Sequence, residues 1–414
     1  MQTDSNKEGT KWVAALMLVV IAASGLAMYW SVRLISANWF GQRASASASV
    51  HAVALAPGNE EYLRKAAELT EEAGGDGTAY YRKAVIVKPY AASDWVQLGF
   101  HAEREGRYGE AERDLLKAAR VDQSFEPRWT LANFYFRRGA TKNALRWIQK
   151  ALYIGEGDLT PVFRLCWQAT TDPGQILRDA MPNRPAALGQ YLEFLFSTNR
   201  SDEATPIAMR LVGIADRDRI AALLDYCDSA LAAGHPDEAV IVWDALSGRG
   251  LIPHPTVGGN SAHVTRNSNF RASLTGLGFD WKPSAPGGVL VDSEGAEGLR
   301  IQFSGKQADQ AVILSQYVHL SPGTRYVLRV RYQSEGIPPG TGLRWRVLDP
   351  FTGRDVERAS LDLVSAHTKE EHAEFVAPSE LRWGLLQLLY NRRPGTERLE
   401  GSLQLISVDI DASR

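Results

Sequence analysis

The chain has 414 residues, more than one ordinary domain accommodates, so two or three domains are expected. With 44% hydrophobic and 23% charged residues it is not a disordered polymer, and a formal net charge of -2 lacks the basic bias of a nucleic-acid binder. The two cysteines, Cys166 and Cys227, exclude a disulfide framework and a cysteine-rich zinc site, and read as small apolar side chains within helices.

Residues 1–11 form a short polar head with Lys7 and Lys11. From Trp12 to Trp30 no side chain is charged, and 19 residues at 1.5 Å per residue approach the thickness of a bilayer core. Trp12 at one end and Tyr29 and Trp30 at the other stand where aromatic belts belong. The segment 12–30 is therefore expected to be a transmembrane helix. A cleaved signal peptide is the competing reading, since Ala44-Ser45-Ala46 and Ala46-Ser47-Ala48 resemble cleavage sites. Against it, Arg33, Trp39, Phe40 and Arg43 intervene, and the apolar run is long for a signal. Lys7 and Lys11 against Arg33 and Arg43 nearly balance the positive-inside count. The orientation expected is a cytoplasmic N-terminus with the bulk of the chain periplasmic. Residues 31–58, with the Ala/Ser stretch 44–49, then read as a juxtamembrane spacer.

Residues 59–250 carry helical periodicity. Trp95 and Trp129 are 34 residues apart, and each is followed by an apolar face, a turn glycine and a second helix containing spaced alanines. The first unit has Trp95, Leu98, Gly99, Gly106, Ala111 and Ala118. The second has Trp129, Phe136, Gly139, Ala144 and Ala151, its second helix slipped by one residue. Tyr81, Ala84 and Pro89 form a preceding half-unit, and Ala204 and Ala239 mark two related second helices further on. The pattern resembles the tetratricopeptide repeat, with five to six helical pairs. Between Asp158 and Pro185 it degenerates, with Pro161, Pro173, Pro182 and Pro185 breaking the period. The resemblance implies an α-solenoid whose groove binds protein partners. Trp95, Leu98, Gly99, Ala111, Ala118, Trp129, Ala144, Ala204 and Ala239 are expected in the repeat core.

Residues 251–268, rich in Pro, Gly, His and Asn, read as a linker. Beyond them, from 269 to 414, seven short alternating runs separated by turns argue for an antiparallel β-sandwich. They are 299–303, 311–320, 325–334, 343–349, 373–378, 381–390 and 401–410. Asn269-Phe270, Phe279-Asp280-Trp281, Gln316-Tyr317-Val318, the turn from Ser321 to Tyr326, Glu374 to Pro378 and Val408-Asp409-Ile410 together resemble the jelly-roll of carbohydrate-binding modules and galactose-binding-like domains. This likeness implies a glycan-binding face and, in related domains, a structural calcium ion, for which Asp409 is a candidate ligand.

Alternation places Arg329, Arg331, Arg344, Arg346 and Arg382 outward. If their strands share a sheet, they form a stripe able to grip carboxylates on an acidic glycan or partner. The alternative is a solvated face balanced by acidic neighbours. Trp281 and Tyr390, near loop ends, are candidate aromatic platforms for sugar, whereas Trp345 and Trp383 fall on inward positions. The histidines of His367 to His372 are five apart, not the four a helical zinc site uses. With no phosphate loop, dinucleotide fingerprint or nucleophile elbow in the sequence, no catalytic residue, cofactor or metal is expected.

The expected molecule is a multidomain α plus β protein and not an enzyme. It is a membrane-anchored scaffold of the bacterial cell envelope, taking protein partners in the helical groove and polysaccharide at the β domain, in the manner of polysaccharide or O-antigen assembly factors. Two alternatives stand beside it: a purely protein-binding factor with a structural β domain, and an envelope glycan hydrolase.

Overall fold

The computed structural model describes residues 4–215, 219–258, 263–293, 298–357 and 363–413. The side chains of Lys7 and Lys11, on which the charge balance of the head rests, lie outside the described residues, as do 259–262 of the expected linker. The chain divides between Pro182 and Asn183 into two compact units, each built around its own packing.

The first unit opens with α1 (Asp4–Gly41), whose stretch from Trp12 to Gly41 has a mean hydropathy of 2.1 and is long and apolar enough to cross a membrane. Residues 31–58 are not a spacer. Helix α1 continues to Gly41 and folds back on α2 (Ala46–Leu55), burying Ala37, Ala48, Ala52 and Val53. Alanine and serine are small enough to let the two backbones approach, and Phe40 stacks on His51 to close the pair.

The pairs α3 (Glu60–Glu72) and α4 (Thr78–Val87), α5 (Ala92–Arg104) and α6 (Tyr108–Val121), and α7 (Phe125–Arg137) and α8 (Thr141–Ile154) follow. Asn59 caps α3, its side chain accepting from the backbone N–H of Glu61 and Tyr62. Gly106 and Gly139, at φ of 74° and 67°, end α5 and α7 in the left-handed conformation that only glycine takes cheaply. Ala111, Ala118 and Ala144 are fully buried where paired helices touch, with Leu98 and Gly99 beside them. The hairpins have the form that the tetratricopeptide resemblance implies.

Their spacing corrects the expected register. Helices α5 and α7, and α6 and α8, are offset by 33 residues throughout, so the equivalents of Leu98 and Gly99 are Leu131 and Ala132. Both are fully buried. Trp129 thus takes the place of Val96, not of Trp95. Neither indole lies within the core. Trp95 is half-buried, donating from Nε1 to the Pro89 carbonyl at 2.8 Å, and Trp129 is half-buried and stacks on Phe125. The irregular stretch is α9 (Thr160–Ala169) and α10 (Pro173–Asp179), in which Pro161 and Pro173 begin helices.

The second unit holds α11 (Pro185–Ser197), α12 (Ala204–Ile214), α13 (Ile220–Ala232) and α14 (Pro236–Gly248), with Ala204 and Ala239 fully buried. The strands are β1 (Lys282–Pro283), β2 (Val289–Asp292), β3 (Leu299–Ser304), β4 (Gln310–His319), β5 (Arg325–Glu335), β6 (Leu343–Leu348), β7 (Asp355–Glu357), β8 (Lys369–Val376), β9 (Trp383–Asn391) and β10 (Glu400–Ala412). They form two five-stranded antiparallel sheets, β1-β4-β9-β6-β7 and β2-β3-β10-β5-β8. Strict alternation produces the sandwich: Leu299, Ile301 and Phe303 on β3 and Tyr326, Leu328, Val330 and Tyr332 on β5 point into one core.

The stretch expected to be a linker is packed. Ile252, His254 and Val257 are buried, and Asp244 of α14 accepts from the N–H of Val257 and Gly258 at 2.6 and 2.9 Å. Further on, Val264 N–H donates to the Ile410 carbonyl, and His263 forms an antiparallel bridge with Asp411 beside β10.

Candidate functional site

Within the first unit an open groove of about 470 Å³ runs along the N-terminal ends of α5 and α7. Its walls include Tyr90, Ser93, Val96, Gln97, Asp122 and Glu126. Helix α5 turns Gly99 and Ala102 toward α6 and Leu98 toward α3 and α4, which leaves Ser93 and Gln97 more open. Arg137 of α7 grips Glu103 of α5 through two hydrogen bonds of 2.8 and 2.7 Å, so the adjacent first helices are held side by side. The wall is apolar at Val96 and Tyr90, neutral polar at Ser93 and Gln97, and acidic at Asp122 and Glu126. Such a mix suits an extended peptide carrying an apolar side chain and a cation. None of these groove residues was chosen from sequence. For Ser93, Gln97 and Glu126 the available signal was their place on the first helix of a pair, away from its most buried face.

Nearby, Asp94 is fully buried on α5. Burial, followed by the neighbouring Glu60 carboxylate and opposed by Arg64, pushes its pKa up to about 6. It is a buried acid on α5 that feels Glu60 and Arg64 of α3.

The β domain rearranges the expected arginine stripe. Arg329 and Arg331 lie on β5, whose neighbours are β10 and β8, whereas Arg344 and Arg346 lie on β6, whose neighbours are β9 and β7. The two groups therefore occupy the outer faces of opposite sheets, and no common stripe exists. Arg329 is ion-paired with Asp411 and stands opposite Asp409 in the strand register. Arg331 stands opposite Glu370. Arg346 donates twice to Gln387 Oε1, at 2.9 and 2.7 Å, and faces Asp355 at 3.5 Å. Arg344 is half-buried across from Leu389, and Arg382 is exposed just before β9 begins.

The aromatic platforms are also reassigned. Trp281 is fully buried, edge-on to Trp345 in the sandwich core, and its Nε1 donates to the Asn267 carbonyl at 3.1 Å. Tyr390 is fully buried, its hydroxyl accepting from Leu399 N–H at 3.1 Å. Neither ring presents a face to a sugar. Trp345 is in the core as expected. Trp383 is buried on the other side of its sheet: Leu386, Leu388 and Tyr390 of β9 point into the core, so Trp383, Leu385 and Gln387 point away from it. That outer face is covered by the last helical pair. Trp383 Nε1 donates to Asp237 of α14, Phe279 bridges Trp383 and Trp243 at ring separations of 5.5 and 5.6 Å, and Lys282 is ion-paired with Asp228 of α13. As for metal, among the described residues no group of three His, Cys, Asp or Glu is clustered.

The two halves resemble tetratricopeptide-repeat and carbohydrate-binding-module folds. No protein-family model matches the sequence, and no curated protein matches it. Among solved structures, the one described as "CBM4 structure and function" is 11% identical, covering 36% of this chain and 98% of that one, with a TM-score of 0.27. YrrB, described as a TPR protein with an unusual peptide-binding site, is 18% identical over 50% of this chain and 94% of its own, at a TM-score of 0.26. PilF of Pseudomonas aeruginosa is 15% identical over 54% of this chain and 93% of its own, at 0.27.

Proposed function

We propose that the chain is a membrane-anchored adaptor of the cell envelope, with its N-terminus cytoplasmic and its bulk on the other side of the inner membrane. Helix α1 is the anchor, the groove along α5 and α7 takes a segment of a protein partner, and the β-sandwich serves as a structural element. The observation that carries this reading is the groove itself, an open cleft between adjacent first helices, walled by Val96, Gln97 and Glu126. A stacked array places equivalent side chains at regular intervals along such a cleft, which suits an extended peptide better than a small substrate.

The test is a photo-crosslinker at Gln97 of the full chain in its native membrane. Adducts with a defined protein, lost on Ser93→Arg at the exposed groove wall and absent from a crosslinker at Arg113 on α6, support the reading. Identical adducts from Gln97 and Arg113 would refute it.

Burial of Trp281 and Tyr390 and the cover over Trp383 favour a structural β domain over a glycan-binding one. A glycan array probed with the full chain in detergent checks this: binding to an envelope polysaccharide would restore the polysaccharide-assembly reading.

A further inference from the structure

The first helical units carry an exposed apolar patch, of which the peptide groove shares only Tyr90 at its edge. Ile86 is 79% exposed and Tyr90 is 69% exposed, at the end of α4 and in the turn leading to α5, and Val87 between them is exposed too. Helix α4 buries Tyr81, Ala84 and Val85 among residues of α3 and α5, so Ile86 and Val87 project from its last turn. Val87, Lys88 and Tyr90 share an open cavity of about 720 Å³ with Trp30, Arg33 and Leu34 of α1 and with the α2–α3 turn. Arg33 fixes this neighbourhood. Its Nε donates to the Leu55 carbonyl at 2.6 Å, and its guanidinium lies 5.0 Å from the centre of the Trp30 ring.

Helix α1 sets the depth of that cavity. From Trp12 to Val32 the chain has 21 residues without a charged side chain, about 31 Å at 1.5 Å per residue, the thickness of a hydrocarbon core. Arg33 is the first cation beyond it, beside Tyr29 and Trp30, the pair of aromatics that belongs at the headgroup level. Side chains that surround Trp30, Arg33 and Leu34 are held at the same level. Their natural covering is the bilayer that α1 crosses.

We propose that Ile86, Val87 and Tyr90 form an interfacial seat, pressed into the headgroup region of the phospholipid bilayer that α1 spans. The inference rests on the reading of α1 as a membrane span. The first helical units then stand on the membrane surface and do not swing on a tether. Two aliphatic side chains and a tyrosine supply the apolar area and polar tip that this zone accepts. Lys88, bridged to Glu60 at 3.0 Å, adds no net charge. The seat is apolar, and its insertion is insensitive to salt.

The experiment uses the full chain in phosphatidylcholine vesicles with an environment-sensitive fluorophore on Ile86→Cys. Native Cys166 and Cys227 are fully buried, and burial pushes both thiols up, so neither competes for the label. Matching labels go on Val19→Cys within α1 and on the exposed Arg104→Cys at the far end of α5. Nitroxide lipids carrying the quencher near the headgroup are expected to remove about half or more of the Ile86 emission, for a side chain seated 5–10 Å into the interface. They should leave the Arg104 label unchanged. Adding Val87→Glu and Tyr90→Glu should restore the Ile86 emission. An Ile86 label as unquenched as that at Arg104, with Val19 quenched by deep-lying nitroxides, overturns the seat and leaves the anchor standing, as does quenching that survives the two glutamates. A Val19 label that escapes deep quenchers overturns anchor and seat together.

Discussion

Trp383 Nε1 donates a 3.0 Å hydrogen bond to Asp237 Oδ1, joining the first residue of β9 to the first turn of α14. Around it the rings of His319, Phe279, Trp243 and His254 pack in series, so the last helical pair and the sandwich share an aromatic core. Helix and strand are a single folding unit here. Asp237→Ala leaves the nearly buried indole N–H without an acceptor and is expected to cost about 1–3 kcal/mol. The same substitution in a Trp383→Phe background should cost about 1 kcal/mol less. Urea unfolding of the four variants of the full chain in detergent measures the coupling. A coupling of zero would show that the bond holds nothing together.

His319 lies against the Trp383 ring, 4.8 Å between centres. Burial, helped by Arg382 and Arg266 and opposed by Asp237, holds its imidazole below its usual value of 6.5. The folded state therefore binds fewer protons than the unfolded state just below that value. The stability contributed by neutral His319 is present above the unfolded pKa and is lost as pH falls through it toward the folded one. His319→Gln should flatten the pH dependence of unfolding in that window. An unchanged profile would assign the slope to other groups.

For Asp94 the sign is opposite, because its folded pKa of about 6 lies above the ordinary aspartate value of 3.8. Below 3.8 both states are protonated and no penalty exists. As pH rises to 6 the folded state is forced to ionise a buried acid, and stability falls. Asp94→Asn is thus expected to raise the stability, and with it the melting temperature, at pH 7, by at most about 3 kcal/mol of unfolding free energy, with the gain vanishing near pH 4. Thermal melts of both proteins at the two pH values decide it. A destabilised Asn variant at pH 7 would mean that the ionised carboxylate is held by attraction to Arg64.

A Cβ on Gly99 would lie 2.6 Å from Leu115 Cγ and Cδ2, in a core where Leu115 is fully buried. Gly99→Val is expected to cost about 1–3 kcal/mol through overpacking, more than its helix propensity returns. In the next pair Ala132 stands at the equivalent place, and Ala132→Gly should cost about 1 kcal/mol, the ordinary helix-interior price of glycine. Melting of both variants tests whether the two hairpins truly have different spacings.

Trp129 takes the repeat position of Val96, which walls the groove. Trp129→Ala should lower the melting temperature less than Leu131→Ala, whose side chain is fully buried, while lowering crosslinking of a groove ligand. A large loss of stability would return Trp129 to the packing role expected from its spacing.

Period alone made much of this protein legible. The 19 uncharged residues from Trp12, the Gly106 and Gly139 turns, and the alternation along β3 and β5 each encode one element through its own periodicity. Ala111, Ala118, Ala144, Ala204 and Ala239 were readable as core because close helix pairs admit no larger side chain. Local pattern could not tell which strands become neighbours, nor what lies above a sheet. Arg329 and Arg346 look alike in sequence, yet pairing sends them to opposite sheets. Trp345 and Trp383 both sit beside an arginine, but Trp345 faces the core and Trp383 faces α14. The 33-residue offset that exchanged Trp129 for Val96, and the packing of 251–258 onto α14, likewise depend on contacts between segments far apart in the chain. A residue's period records how its backbone repeats. Its partner is chosen by where other elements come to rest, and that is a property of the tertiary structure.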